Sequence, residues 1–110
     1  MDIPQFIKEW IDNSNAFKVE QYLTKYHENA VLDDPSVGRS FKSHKGIREY
    51  FEDYFIGYNT HTKLVNLHVK DNIAHAEVLF TGDFPGGKTG GTFDFTFKDG
   101  KIIHVKADLI

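Results

Sequence analysis

The residues best placed to do chemistry are the neighbouring carboxylates Asp33 and Asp34. They close the apolar run Ala30-Val31-Leu32 and stand directly before Pro35. Strand alternation puts Ala30, Leu32 and Asp34 on one side and Val31 and Asp33 on the other, so the two acids do not form a catalytic pair. Asp34 shares its side with the apolar residues. An apolar setting raises a carboxyl pKa from about 3.9 toward neutrality, where it can take a proton from carbon beside a carbonyl. The competing role for Asp34 is structural, an acid that bonds turn amides and ends the strand at Pro35.

A second set of reactive types is His68, His75 and His104, with Glu77 and Asp94. Imidazoles and carboxylates ligate zinc and other transition metals. Their spacing matches no metal motif, and they alternate onto the strand face opposite the apolar one, so no metal or cofactor is expected. Gly86-Gly87-Lys88-Thr89-Gly90-Gly91 has a phosphate-loop composition but leads into a strand rather than a helix. It reads as a hairpin loop near a pocket mouth. The chain has no cysteine, which excludes disulfides, thiolate nucleophiles and zinc–thiolate centres.

Three helical stretches precede the strands that would carry these groups. Asp2 with Gln5 reads as a capping box, and Ile3, Phe6, Ile7, Trp10 and Ile11 share one face of a helix ending near Asn13. A second helix is expected from Ala16 to Tyr26, with Val19, Tyr22 and Leu23 inward. The strand to Asp34 follows, with a short return strand at Gly38–Phe41. Ser43 is expected to cap a third helix, in which Ile47, Tyr50, Phe51, Tyr54 and Phe55 form the stripe and Gly57 the end.

The rest alternates as antiparallel sheet. Asp71-Asn72 is a two-residue turn that sets Leu67 opposite Ala76, His68 opposite His75 and Val65 opposite Val78. Lys98-Asp99-Gly100 reads as a three-residue turn, pairing Phe93 with Val105, Phe95 with Ile103 and Asp94 with His104. The outer face then carries Asn66, Thr92 and Lys106 beside the histidines and acids, with Leu64, Leu79 and Ile73. The expected architecture is one α+β domain over residues 1–110, helices first and a curved antiparallel sheet after.

Composition bounds the function. Net charge is −3 with scattered Lys and Arg, which argues against nucleic acid as partner. Aromatic residues make up 15% of the chain, which suits either a filled core or a lined cavity. The start Met1-Asp2-Ile3-Pro4 has neither the basic end nor the apolar run of a signal peptide, so a cytoplasmic protein without a membrane span is expected.

The helix with Trp10, the segment Tyr26–Pro35, the run Gly46-Ile47-Arg48-Glu49-Tyr50-Phe51 and the hairpin Phe93–Ile102 together resemble the nuclear transport factor 2-like superfamily. The branch is SnoaL-like or ketosteroid-isomerase-like, and the resemblance covers nearly the whole chain. It implies a cone-shaped curved sheet wrapped around three N-terminal helices, a cystatin-like roll. It also implies a homodimer through the outer sheet face. In ketosteroid isomerases an Asp base works beside an oxyanion hole of a Tyr and a protonated Asp. The base position falls on Asp34. The oxyanion Tyr falls on Trp10, a supporting Tyr on Phe51 and the oxyanion Asp on Phe93, so the base position is kept and the steroid oxyanion hole is not.

Two functions follow. The first is a cofactor-free isomerase, cyclase or dehydratase for a small hydrophobic carbonyl compound, with Asp34 as proton shuttle. Its cone would be lined by Trp10, Tyr26, Leu32, Tyr50, Phe51 and Tyr54 on one side. Val78, Phe80, Phe93, Phe95 and Val105 would form the other. The second is a ligand-binding or dimerisation module in which Asp34 only shapes the pocket.

Overall fold

A computed structural model describes residues 1–110. Helix α1 spans Ile3–Asn15 and starts where Asp2 accepts a hydrogen bond from the Gln5 amide at 3.1 Å. The Gln5 side chain turns to Glu9 rather than back to Asp2, so only half of the expected box forms. Helix α2 is Val19–Thr24, shorter than the Ala16–Tyr26 stretch expected. Phe17 at φ 56° reverses the chain before it, and Tyr26 already belongs to a strand. Strand β1 runs Tyr26–Asp34 and β2 runs Arg39–Lys42. Helix α3 is Ser43–Phe51 and passes into a π-helical turn over Glu52–Ile56. Ser43 does not cap α3. It is the first helical residue, at φ 61°, and no side chain caps that end. No helix is long and apolar enough to cross a membrane.

Strands β3 (His61–Lys70), β4 (Ile73–Thr81), β5 (Lys88–Lys98) and β6 (Lys101–Leu109) complete one curved, unclosed sheet. Its order is β2-β1-β6-β5-β4-β3. All neighbours are antiparallel except β1 and β6, which run parallel; α3 and four strands lie in sequence between them. The concave face holds the core. Trp10 of α1 stands edge-on to Phe93 and Phe95 at ring separations of 4.9 and 5.1 Å, and Phe6 meets Phe97 the same way at 5.3 Å. Ala74 and Ala76 lie beside Phe95 and Phe93 on β4, so small residues leave room for the rings. The Asn15 side chain bonds both polar groups of the Thr62 backbone, at 2.9 and 2.7 Å, and so pins the end of α1 to β3.

Two registers differ from the expected ones. In the β3–β4 hairpin the pairs Leu67–Ala76 and His68–His75 form, but a bulge at Val65 sets Leu64, not Val65, opposite Val78. Leu64 thereby leaves the outer face to which its alternation assigned it. In the β5–β6 hairpin the turn is the two residues Asp99 and Gly100, both at positive φ, which matches the strand twist. Phe95 pairs with Val105, Phe93 with Ala107, Asp94 with Lys106 and Thr96 with His104. Each inner Phe slips by two residues from its expected partner. From Val105 onward this even slip keeps each side chain on its face, so the apolar pattern there could not detect it, while the bulge at Ile103 turns Ile102 inward opposite Phe97.

The close approach of β4 and β5 near the open end depends on a glycine. A Cβ on Gly91 would lie 2.3 Å from Phe80 Cε2 and 3.0 Å from the Asp108 carbonyl oxygen, whereas one on Gly90 meets nothing closer than 3.5 Å. Gly91→Ala is expected to lower stability by about 1–3 kcal/mol through overpacking. Gly90→Ala should stay within about 0.5 kcal/mol of the wild type. Urea midpoints at unchanged slope check both.

Candidate functional site

A cavity of about 270 Å³ opens at the wide end of the cone. The β1–β2 turn supplies Asp34, Ser36 and Val37 to its wall, and α3 with the π-helical turn supplies Tyr50, Tyr54 and Phe55. Tyr58 and Thr60 follow from the link to β3. Phe80, Phe84, Thr89 and Leu109 come from the ends of β4, β5 and β6 and the loop after β4. The π-helical turn matters here. Its wider bonds, Gly57 N–H to the Glu52 carbonyl at 2.9 Å and Thr60 N–H to the Phe55 carbonyl at 2.8 Å, carry Tyr54, Phe55 and Tyr58 around to the cavity. Such turns are frequent at functional sites. The loop over the mouth is tied down by the Asp83 amide donating to the Tyr58 carbonyl at 2.6 Å.

Asp34 is 6% exposed and is the only ionisable carboxyl group on the cavity wall. Its Oδ2 accepts the Tyr50 hydroxyl at 2.7 Å. Its Oδ1 accepts the Ser36 amide at 2.9 Å and the Ser36 hydroxyl at 2.5 Å. The Ser36 bonds are the strand-closing turn expected of Asp34 before Pro35; the Tyr50 bond and the burial are what a pocket acid requires. Both roles for Asp34 are therefore present in one residue. Burial, and then the Asp34 charge, pushes the Tyr50 hydroxyl well above its ordinary pKa, so Tyr50 stays a neutral donor.

Of the residues expected to line the cone, Asp34, Tyr50, Tyr54 and Phe80 do. The others lie deeper. Leu32, Phe51, Val78, Phe93, Phe95 and Val105 are buried core residues without access to the cavity. Trp10 and Tyr26 are buried too. The Trp10 indole N–H donates to the Tyr26 hydroxyl oxygen at 3.1 Å, and the Tyr22 and Tyr26 hydroxyls are 2.7 Å apart. These expectations of a lining role are corrected for a simple reason: the rings pack on one another, with Tyr22 stacked on Phe51 at 4.1 Å, and close the narrow end of the cone. Burial pushes the Tyr22 and Tyr26 hydroxyls far above their ordinary pKa.

Ser36, Val37, Tyr58, Thr60, Phe84, Thr89 and Leu109 also form the wall, and strand or helix periodicity does not point to them. The Asp-x-Ser spacing signalled Ser36 as a turn donor. The rest arrive from strand ends and loops that converge only in space.

On the outer face the histidines pair with acids. His75 Nδ1 lies 2.5 Å from Asp94 Oδ1, and His104 Nε2 lies 2.7 Å from Asp33 Oδ2. The Ser40 hydroxyl also donates to Asp33. That bond first, and then His104, holds the Asp33 carboxyl below the usual range. Asp33 sits between Ser40 and His104, so the imidazole cannot activate the hydroxyl as it would if it stood in the middle. His68 bonds Asn66 rather than an acid. No group of three or more His, Cys, Asp or Glu is arranged to hold a metal ion.

A curved sheet over three helices, with one acid in an aromatic cavity at the wide end, defines a cone-fold domain of the nuclear transport factor 2-like kind. The model of the SnoaL-like domain family matches residues 7–105, and the chain belongs to that family. A candidate polyketide cyclase from Sinorhizobium meliloti shares the fold at a TM-score of 0.87 and 20% identity, over 97% of this chain and 96% of that one. A candidate ketosteroid isomerase from Kribbella flavida does so at 0.84 and 14% identity, over 96% and 76%. A hypothetical protein with a ketosteroid-isomerase-like fold from Catenulispora acidiphila, in complex with trimethylamine, does so at 0.84 and 11%, over 94% and 84%. At these identities the likeness is one of fold. No curated protein matches the chain by sequence.

The buried tyrosines make alkaline stability a readout of the site. The folded state favours neutral Tyr22, Tyr26 and Tyr50, whereas the unfolded chain ionises its tyrosines near pH 10. Their contribution is fully present below about pH 10 and is lost as pH rises above it. Tyrosinate absorbance should therefore show three residues that ionise only as circular dichroism reports unfolding. Tyr50→Phe should reduce that late step by one residue.

Proposed function

We propose that the cavity binds a small, largely apolar carbonyl compound and that Asp34 moves a proton on it. This is the chemistry of cofactor-free isomerases, cyclases and dehydratases. The observation that carries the reading is the single buried carboxylate in the aromatic wall, oriented from both sides by Tyr50 and Ser36. Asp34 would take the proton from carbon beside the carbonyl, and the electron pair would move onto the carbonyl oxygen. The proton would then return to another carbon, so that no redox partner is needed. The hydroxyls of Tyr54 and Tyr58, which line the cavity without a protein partner, would donate to the developing oxyanion. Trp10 cannot, because its one N–H is bonded to Tyr26.

Size narrows the substrate. The volume of about 270 Å³ lies just below the usual range of ligand sites, which starts near 300 Å³. A molecule of one or two rings fits that space better than a fused four-ring steroid.

The outer sheet face is where the family resemblance implies a second copy of the chain, and Ile73, 52% exposed, lies on it. Sedimentation should show a dimer that Ile73→Glu dissociates; a monomer at every concentration removes this part of the proposal.

The catalytic part is tested with one- and two-ring ketones in heavy water. The wild type should speed deuterium uptake beside the carbonyl. Asp34→Asn should cut that acceleration by about 10²–10⁴-fold while ketone-induced amide shifts at the cavity persist. Ketone binding without accelerated exchange, or exchange that survives Asp34→Asn, would make the domain a binding module.

A further inference from the structure

We propose that the carbonyl compound taken by this cavity carries a small alkylated ammonium group, held by aromatic faces beside Asp34. This rests on the reading of the cavity as a ligand site and names the class of molecule it takes.

Charge is the first argument. Buried carboxylates are normally paired with a cation. Asp34 has no ion-pair partner, and its three donors, the Ser36 amide, the Ser36 hydroxyl and the Tyr50 hydroxyl, are all neutral. No Lys, Arg or His contributes to the cavity wall. Elsewhere this chain does pair its acids: Asp33 and Asp94 meet histidines, and Glu9 and Glu49 meet Lys25 and Arg39. Asp34 therefore brings one negative charge to the cavity with no counterion on its wall, since its cross-strand neighbour Arg39 turns to Glu49.

The wall supplies the second argument. Tyr50, Tyr54, Phe55 and Phe80 form a continuous ring cluster, with centroid separations of 5.4 Å for Tyr50–Tyr54, 5.8 Å for Tyr50–Phe55 and 5.9 Å for Phe55–Phe80. Tyr58 and Phe84 close the mouth. Aromatic faces are electron-rich and attract a cation within about 6 Å of the ring centroid. Charge and wall favour the same sign of ligand. An anionic ligand would meet Asp34 and the ring faces, both repulsive, whereas a positive group on the ligand gains from both.

The third argument sets the degree of alkylation. A carboxylate offers about four lone-pair sites, and three are taken. A primary ammonium brings three N–H donors and holds its hydration more tightly than an alkylated one. A tertiary ammonium brings one and a quaternary ammonium none. Methyl groups on nitrogen also spread the charge over a surface that packs on rings. A quaternary nitrogen leaves the last lone pair of Asp34 free, and a cation near a carbonyl eases loss of the adjacent proton. The class is thus compatible with the proton transfer proposed for Asp34.

Choline and dimethylbutanol, its uncharged tert-butyl isostere, test this as a pair of probes of the same shape. Amide NMR titrations would follow Ser36, Tyr54, Phe80 and Phe84. Choline should bind at least about tenfold more tightly than the isostere. Asp34→Asn and Phe84→Leu should each erase that preference while the amide spectrum confirms the fold. Isostere binding equal to or tighter than choline binding would overturn the cation and leave the ligand site standing. Cavity amides that respond to neither probe nor to the ketones would overturn the cation and the ligand site together.

Discussion

Burying the carboxylate of Asp34 is the constraint that the wide end of the cone is built to meet. Removing a carboxylate from water costs several kcal/mol even after relaxation. A hydrogen bond to a charged group contributes about 1.5–3 kcal/mol, and Asp34 accepts three. The two sides are of similar size, so Asp34 is accommodated rather than a source of stability. The sequence shows where the donors come from. Pro35 has no N–H, so the first amide able to reach back is that of Ser36. The third donor, Tyr50, lies on the inner stripe of α3. The β1–β2 turn and the placement of α3 against β1 thus both serve one charged group.

The aromatic residues divide along the cone. At the narrow end Trp10, Tyr22, Phe51, Phe93 and Phe95 pack edge-on or stacked, and the only polar atoms among them satisfy one another through Tyr26. No ligand group is needed there, and none has access. At the wide end Gly91 lets the Phe80 ring lie against β5, and the π-helical turn swings Tyr54 and Tyr58 to the wall. Their hydroxyls stay unpaired by protein. Polar capacity left unused inside a cavity, rather than aromatic content as such, separates a site from a core.

What was legible in the sequence follows from periodicity. The alternation of β1 and the stop at Pro35 put Asp34 on the apolar face, and the α3 stripe put Tyr50 and Tyr54 near it. The stripe on α1 located the core helix. Features without a period were not legible. The bulges at Val65 and Ile103 and the π-helical turn each add a residue where the template has none, and positive φ at Phe17 and Ser43 carries no glycine to announce it. The even slip in β5–β6 is hidden beyond the bulge because Val105 and Ala107 face inward in both registers. Trp10 and Phe93 lie away from the cavity that the resemblance implies for them, because side-chain volume fills the narrow end.

The neighbouring acid explains why Asp34 stays in place. A cross-strand row of paired residues runs over the outer face: His68, His75, Asp94, Lys106, Asp33 and Ser40, one from each strand. Such pairs contribute about 0.2–1 kcal/mol each, and less where solvent screens them, so the row matters more for register than for total stability. Asp33 is its key member, because β1 and β6 are joined by no hairpin and need another lock. Its carboxylate reaches β2 through Ser40 and β6 through His104. Since its folded pKa is depressed, this tie is present above the ordinary carboxyl range and is lost only as pH falls through the lowered value. A one-residue slip of β1 would turn Asp34 to solvent and Asp33 into the core. The outer acid, by fixing that register, holds the inner acid at the cavity.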